Sequence, residues 1–291
     1  MRLLRGRLSA SNLMGPFLSV VTVSLDAADT IEDTLASVCR QRVDFPIEHI
    51  CVDGGSHDGT RSIIDDWAAR SPCIVRVYER DNGIFDAMNR GLSVAKGEYV
   101  LFLNADDFLV RPTTLREAMH DLVPGSQSNP DLILGDAVMG VPGVRGFWRH
   151  RRVPRCLGRV RGLGLYPVHQ GQFAKRGLLL SVGGFDAGLR VAADMNQYFD
   201  LERRFSPSTR LLRSDVAFMR AGGAANASFR AVRLGTSEIY HHLALRYSAA
   251  RAAGMVCIKT LQSLSELRFG RCPHFRWFAE PAFDDRGGGH Q

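Results

Sequence analysis

Apolar, β-branched runs alternate with helix-like segments through the amino-terminal third of the chain, and this alternation constrains the fold more than any other feature. The spacing of these runs, about 25 residues, is typical of parallel βαβ units with right-handed crossovers. We therefore expect an α/β fold with a mostly parallel sheet flanked by helices. The predicted strands are Phe17–Leu25, Ile47–Val52, Cys73–Glu79 and a fourth that begins at Tyr99.

Acidic residues follow the predicted strands at the ends where ligands bind in sheets of this kind. They are Asp53, the segment Glu79–Asp81, and the pair Asp106 and Asp107. A carboxylate at the mouth of a sheet costs desolvation energy unless a positive charge meets it. No Lys or Arg adjoins Asp106 in YVLFLNADD, so we expect Mg²⁺ or Mn²⁺, bound also by phosphate oxygens. A solvated turn or a helix cap is the alternative.

The stretch DGGSHDGT after the second strand is a glycine-rich turn that lacks the common phosphate-binding fingerprints. No Lys follows it as in a Walker loop, and the pattern G-x-G-x-x-G is missing. Gly54 and Gly55 permit positive φ and a close approach of the backbone to a ligand. Asp53 could accept a hydrogen bond from an N–H group of a nucleotide base. The stretch could equally be a tight turn with helix caps.

The length and composition fit one large α/β domain, or one domain with a tail. The chain has 291 residues, of which 45% are hydrophobic and 23% charged. No apolar run is long enough to predict a transmembrane helix. Residues 1–16 are basic without the apolar core of a signal peptide, and we expect a flexible leader. The six cysteines form no C-x-x-C pair and are expected to be free thiols.

Positive charge is concentrated in one acid-free stretch. The net charge is +7, and neither Asp nor Glu occurs from Ala137 to Phe185. This stretch favours polyanions or an anionic membrane face, with Phe147 and Trp148 suited to an interface. A mobile acceptor loop is the alternative, and the aromatic and basic residues interleave too sparsely for nucleic acid. The cations are Arg145, Arg149, Arg151, Arg152, Arg155, Arg159, Arg161, Lys175 and Arg176.

Taken together, the motifs VTVSL, VDGGSHDGT and ERDNGIFDAMNRGLSVAKGEYVLFLNADD resemble a family 2 glycosyltransferase with the GT-A fold, of the bacterial polysaccharide and glycolipid type. The resemblance continues through HQGQFAKRGLLLSVGGFD and LRVAADMNQYFDL, and covers Phe17 to about Phe229. It implies a catalytic domain at 17–230, with a nucleotide-sugar half at about 17–110 and an acceptor half at about 111–230. Residues 231–291 would form a helical carboxyl-terminal extension.

The resemblance also implies roles for individual residues. Asp53 would bind the base of the nucleotide-sugar, and Asp81 would border the same pocket. Asp106 would bind the metal, and Asp194 would be the catalytic base. Two departures from the family pattern are Asn104, in place of the first Asp of an Asp-x-Asp motif, and Ala193, in place of a Glu. Asn89 could instead hold the loop, and His169 could contact the acceptor or be structural. With these two, the remaining donor-binding residues would be Ser24, Gly54, Asn89, Asn104, Ala105, Asp107 and His169.

The reaction implied by the resemblance is an inverting transfer that needs no enzyme nucleophile. Mg²⁺ or Mn²⁺ would neutralise the departing nucleoside diphosphate of a UDP- or GDP-sugar, and Asp194 would deprotonate a hydroxyl of a lipid-linked or glycan acceptor. The protein would work in the cytoplasm, peripherally at the inner face of the cell membrane. The alternatives are a sugar nucleotidyltransferase, disfavoured by LDAADTIEDT after the first strand, and a non-catalytic nucleotide-sugar-binding subunit.

Overall fold

The structure is a computed structural model that describes residues 15–153, 166–221 and 229–273. Several of the sequence predictions concern residues outside these ranges. They are most of the predicted leader, Cys156, the arginines Arg155, Arg159 and Arg161, and the end of the predicted extension at 274–291.

The amino-terminal half alternates strand and helix as the sequence predicts. Its elements are β1 (Leu18–Ser24), α1 (Ile31–Cys39), β2 (Ile47–Asp53), α2 (Thr60–Arg70), β3 (Ile74–Tyr78), α3 (Ile84–Val94) and β4 (Tyr99–Phe102). The four strands are parallel, in the order β3-β2-β1-β4. Val21 and Val23 of β1 enter one apolar cluster, and Leu18 and Val20 enter another. Because alternate residues of a strand face opposite sides, β1 is buried on both.

The second half extends the same sheet and adds further helices. Its elements are β5 (Phe108–Leu109), α4 (Thr114–Ala118), β6 (Leu132–Gly140), β7 (Arg145–Arg151), β8 (Gln172–Lys175), α5 (Arg176–Ser181), α6 (Ala193–Phe205), β9 (Thr209–Arg220), α7 (Phe229–Arg246), α8 (Ala249–Ser265) and β10 (Leu267–Arg271). β8 lies antiparallel between β4 and β6, and β7 and then β10 continue the sheet outward. β9 runs parallel to β6 and pairs with β5. The predicted α/β class is confirmed.

Two outer strands of the sheet carry no apolar run that would predict them. β7 reads RGFWRHR, and none of its residues is fully buried. β10 follows α8 within the segment expected to be helical, and pairs with β7 at the outer end of the sheet. α7 and α8 are helices, as the helical spacing of their apolar residues predicts. The limits of the predicted domains stay a prediction. No helix in the described part of the chain is long and apolar enough to span a bilayer.

A short 3-10 turn, His169–Gly171, leads into β8 and packs closely against β6. A Cβ atom added to Gly171 would lie 2.3 Å from the carbonyl oxygen of Gly135, which is far inside van der Waals contact. Only glycine at position 171 lets the turn lie this close to β6. The position of His169 and Gln170 therefore depends on this contact between two backbones.

We predict that Gly171→Ala lowers the free energy of unfolding by roughly 1–3 kcal/mol, because the new methyl group overpacks a backbone contact. Urea denaturation of the purified protein measures the change. Gly177→Ala is the matched control, since Gly177 lies in α5 with nothing within 4 Å of an added Cβ. An equal loss of stability in the two variants would contradict the proposed contact.

Candidate active site

The carboxyl ends of β2, β1 and β4 lie side by side at one edge of the sheet. Ser24 ends β1 opposite Asp53, which ends β2, and the segment Asn104–Asp107 follows β4. The parallel topology alone therefore places these polar residues along one rim. All of them were predicted from the sequence to bind part of a nucleotide-sugar except Asp106, which was predicted to bind the metal.

The Asp53 carboxylate is fully buried and already bound by protein donors. Its Oδ1 accepts the backbone N–H groups of Gly55 (3.1 Å) and Ser56 (3.0 Å) and the Nε–H of Arg61 (2.5 Å). Its Oδ2 accepts the hydroxyls of Ser56 and Ser24. Burial opposes ionisation, but these hydrogen bonds outweigh it and hold the pKa of Asp53 below its ordinary value. Asp53 thus fixes the turn after β2, and its contact with a base stays a prediction.

Gly54 allows the Asp81 carboxylate to lie directly against this turn. A Cβ atom at Gly54 would lie 2.1 Å from Asp81 Oδ2, so no other residue fits without displacing Asp81. Asp81 Oδ1 accepts the backbone N–H of Gly83 at 2.9 Å. The residues expected around the nucleoside, Ser24, Asp53, Gly54 and Asp81, therefore form one contiguous group.

Asp106 and Asp107 place two neighbouring carboxyl groups in a largely buried setting. Burial raises the pKa of Asp107, which is 2% exposed, well above its ordinary value, and the charge of Asp106 raises it further. Burial also raises the pKa of Asp106, against the charges of Arg220 and His169. Two carboxylates that resist ionising together are stabilised by a bound cation.

Buried polar atoms without a hydrogen-bond partner cluster around this pair. Among the described residues, no partner is present for Asn104 Oδ1, His169 Nε2, Gln170 Oε1 or Arg220 Nε. Buried polar groups are ordinarily hydrogen-bonded, so this concentration indicates a ligand. The amide oxygen of Asn104 and the carboxylates beside it are the hard oxygen donors that Mg²⁺ and Mn²⁺ take. The residues present therefore fit the predicted divalent cation.

The turn His169–Gly171 connects these carboxylates to Asp194. His169 Nδ1 lies 3.3 Å from Asp194 Oδ2, and the next residue, Gln170, donates from Nε2 to Asp107 Oδ2 at 2.8 Å. Because His169 and Gln170 are adjacent, the two acidic centres are held at a fixed separation. The structure thus brings together four predicted site residues, Asp106, Asp107, His169 and Asp194.

Asp194 is held in its ionised form by its surroundings. It lies in the first turn of α6, where the helix dipole favours a carboxylate. Burial opposes ionisation, but the hydrogen bond and charge of His169, the N–H of Met195 and the charge of Lys259 keep the pKa of Asp194 below its ordinary value. Ala193 is fully buried in the apolar core, and His169 supplies the polar contact to Asp194.

Two predicted donor-binding residues make well-defined contacts within the protein. Asn89 donates to the carbonyl oxygen of Phe185 and accepts its N–H, both at 2.8 Å, and so holds this loop against α3. Ala105 is 5% exposed, and its carbonyl oxygen accepts the hydroxyl of Thr34 at 3.0 Å. Contact of either residue with a donor stays a prediction.

The sequence analysis does not identify three residues of this site: Gln170, Arg220 and Lys259. Arg220, at the end of β9, forms an ion pair with Asp33, and its guanidinium lies 5.6 Å from the ring centroid of Phe108. Lys259 of α8 places its Nζ 5.1 Å from the ring centroid of Tyr166. Only Gln170, next to His169 in the sequence, carried a local signal. The two cations reach the site through long-range folding.

A second group of possible metal ligands comprises Asp136 of β6, His150 of β7 and Asp215 of β9. One ligand atom from each lies within 4.8 Å of the others. These atoms already have protein partners: His150 Nε2 lies 2.7 Å from Asp215 Oδ1, and Asp136 Oδ1 accepts the N–H of Val153 at 2.8 Å. Arg152 Nε–H also donates to His150 Nδ1 at 3.2 Å. Because these atoms already have protein partners, a bound ligand is less strongly indicated here than at the cluster of unpartnered atoms around Asp106.

Comparison with solved structures supports the fold that this site is built on. S. aureus TarS 1-349 in complex with UDP superposes with a TM-score of 0.56 at 20% identity, over 85% of this chain and 72% of that one. The mannosyltransferase PcManGT from Pyrobaculum calidifontis, in complex with GDP-Man and Mn²⁺, gives 0.57 at 18% identity, over 86% and 75%. This chain spans 43% of the longer TarS chain. The fold is that of a GT-A glycosyltransferase.

The sequence comparisons define the family. The family model described as Glycosyl transferase family 2 matches residues 19–194. A PGL/p-HBAD biosynthesis glycosyltransferase of Mycobacterium tuberculosis (strain ATCC 25177 / H37Ra) is 32% identical over 219 residues, covering 74% of this chain and 81% of the relative. The chain belongs to glycosyl transferase family 2, as the resemblance implies.

We predict that His169→Gln raises the pKa of Asp194, because the variant removes the histidine charge while burial continues to disfavour the carboxylate. Carbon-13 NMR titration of aspartate-labelled protein, with Asp194→Asn to assign the signal, measures the shift. The control is His120→Gln, since His120 pairs with Asp121 on the exposed surface. An unchanged Asp194 titration in His169→Gln would mean that the pair does not set this pKa.

Proposed function

We propose that the protein transfers a sugar from a nucleotide-sugar donor to a hydroxyl of a glycan acceptor, with inversion at the anomeric carbon. The observation that carries the proposal is the turn at His169 and Gln170. It binds the ionised Asp194 on one side and the Asp106–Asp107 pair on the other. A transfer of this kind needs a base for the acceptor and charge neutralisation for the leaving diphosphate, and the turn holds both in one site.

The donor binds along the rim formed by β2, β1 and β4. Asp81, lying on the turn that Asp53 and Gly54 shape, borders the nucleoside. The hydrogen bonds of Asp53 with Ser24 and with the turn itself hold this turn in place. From the nucleoside, the diphosphate would extend toward Asn104 and Asp107. The structural relatives TarS and PcManGT are complexes with UDP and with GDP-Man, which supports a UDP- or GDP-sugar as the donor.

Asp106 would be the metal ligand, and Asn104 and Asp107 lie beside it in the chain. When bound, Mg²⁺ or Mn²⁺ would supply charge neutralisation to the diphosphate leaving group. Asp107 is oriented by Gln170, and the Arg220 guanidinium adds a fixed positive charge to the same side of the site. The Mn²⁺ of the PcManGT complex supports this assignment.

Asp194 is the base that takes the proton from the acceptor hydroxyl. Its depressed pKa keeps it ionised at neutral pH, and the His169 contact fixes the orientation of its carboxylate. The raised pKa values of Asp106 and Asp107 suit them to cation binding instead. In this division of roles, the acceptor hydroxyl would attack the anomeric carbon directly, on the face opposite the leaving group.

The acceptor that we propose is a lipid-linked glycan or glycolipid of the bacterial cell surface, reached from the cytoplasm at the inner face of the membrane. The mycobacterial relative is named for PGL/p-HBAD biosynthesis, which supports a glycolipid rather than a free sugar. A non-catalytic nucleotide-sugar-binding subunit is the alternative that the following experiment separates from an enzyme.

We predict that Asp194→Asn lowers donor-dependent release of nucleoside diphosphate by at least about 100-fold, because the base is lost while the donor site remains. A coupled assay for UDP or GDP, run over a panel of UDP- and GDP-sugars with Mn²⁺ and glycan acceptors, measures the rate. The variant should still show thermal stabilisation by the nucleotide. Asp121→Asn, an exposed aspartate outside the site, is the control. Nucleotide binding by wild type without turnover on any donor would instead identify a binding subunit.

We predict that Asp106→Asn weakens Mn²⁺ binding at least about tenfold, because it removes the carboxylate that would hold the cation. Asp215→Asn, in the second candidate group, should stay within about twofold of wild type, since its carboxylate is already bound by His150. Electron paramagnetic resonance of free Mn²⁺ measures both affinities. The reverse order would move the metal site to Asp136, His150 and Asp215.

A further inference from the structure

The outer ribbon of the sheet carries an exposed face of aromatic rings and arginines. β7 and β10 pair antiparallel, with Phe147 opposite Phe269 and Arg145 opposite Arg271. Alternate residues of a strand point to the same side, so one face of the ribbon collects the odd-numbered residues of both strands. We call this the aromatic–arginine face; it comprises Arg145, Phe147, Arg149, Leu267, Phe269 and Arg271.

The two phenylalanines at its centre are strongly exposed. Phe147 is 70% and Phe269 66% exposed, and their ring centroids lie 5.0 Å apart. Trp148, on the opposite face of β7, packs instead against the cluster formed by Phe108, Val138 and other core residues. The ribbon therefore has one aromatic side chain packed inward and two left outside. A paired aromatic patch on a surface marks an interaction site.

The arginines around this pair carry like charges that repel one another. Arg145 lies directly across from Arg271, and like charges placed directly opposite destabilise a strand pair. Arg271 Nε–H also donates to the carbonyl oxygen of Gly143 at 2.9 Å. Within the described residues, none of Arg145, Arg149 and Arg271 has a carboxylate within salt-bridge distance, while the charge of Arg149 acts on the pKa of the buried Glu266, which pairs with Arg151. No Asp or Glu occurs from Ala137 to Phe185. The face is therefore complementary to a surface that presents negatively charged groups above an apolar layer.

We propose that the aromatic–arginine face docks on the surface of a bilayer that contains anionic lipids. The phenylalanine rings enter the boundary between headgroups and acyl chains, and the arginines bind lipid phosphates. Leu261 and Leu264, which are 65% and 62% exposed, lie in the last two turns of α8 and add apolar surface shortly before β10 in the chain. The inference goes beyond the proposed function and does not depend on it, since binding needs no sugar donor.

The positive charge of the aromatic–arginine face favours an anionic bilayer over a second copy of the chain as its binding partner. A symmetric dimer through this face would bring the arginines of one copy against those of the other, and like charges across an interface oppose association. An anionic bilayer instead offers phosphates beside an apolar layer. The sequence analysis assigned Phe147 and Trp148 jointly to an interface; in the structure Phe147 is joined by Phe269, and Trp148 faces the core.

Vesicle co-sedimentation of the full chain tests the proposal. We expect wild type to sediment with vesicles of phosphatidylcholine and phosphatidylglycerol and to remain in solution with phosphatidylcholine alone. The double variant Phe147→Ser with Phe269→Ser should bind the anionic vesicles about tenfold more weakly. The triple variant with Arg145, Arg149 and Arg271 changed to Gln should lose the preference for phosphatidylglycerol, and added salt should weaken wild-type binding.

The matched control is Val123→Ser with Leu180→Ser, which removes apolar surface elsewhere; the two residues are 62% and 45% exposed. This variant should bind vesicles as wild type does. Circular dichroism spectra and thermal unfolding, measured for all variants without ligand, report that each one folds. Vesicle binding that survives loss of both phenylalanines, or that responds only to the arginine changes, would overturn the proposal. So would a wild-type dimer that the phenylalanine variant converts to monomer.

Discussion

The contact of one short turn with two acidic centres organises this protein. His169 and Gln170 are neighbours in the chain, yet they bind carboxylates that belong to different layers of the fold: Asp194 on α6 and Asp107 behind β4. The turn can lie there because Gly171 lets it rest on the backbone of β6. A rigid connection of this kind keeps the ionised Asp194 and the Asp106–Asp107 pair at a constant separation, as the proposed displacement reaction requires.

Hydrogen bonds and nearby charges give the carboxyl groups of the site different chemical characters. Asp53 and Asp194 are both stabilised as anions by hydrogen bonds, and their pKa values are lowered. Asp106 and Asp107 have too few compensating donors for their burial, so their pKa values are raised. The buried polar atoms around Asp106 and Asp107 likewise lack hydrogen-bond partners in the described part of the chain. The protein thus holds one pair of acids ready as anions and leaves another to be completed by a ligand.

Later parts of the chain complete the site and extend the sheet. Arg220 closes the acidic rim from β9, and Lys259 approaches Asp194 from α8, which lies beyond the residues matched by the family model. β10 follows α8 directly and pairs with β7, so the segment that places Lys259 near Asp194 also builds the outer ribbon. The proposed membrane-docking surface would therefore follow Lys259 closely in the chain, through β10.

The sequence by itself determined the parallel half of the sheet and the acidic rim, because strand periodicity and strand-end positions are local properties. It also indicated Asp106, Asp107, His169 and Asp194 through motifs, each of which is a short stretch of chain. Only the tertiary structure decided that Gln170 joins two of them, and that Arg220 and Lys259 supply charge to the site. It alone put Phe147 beside Phe269, with Trp148 turned inward. These relations join residues that are distant in the chain, and no local pattern records which distant side chains a folded backbone will bring within a few ångströms.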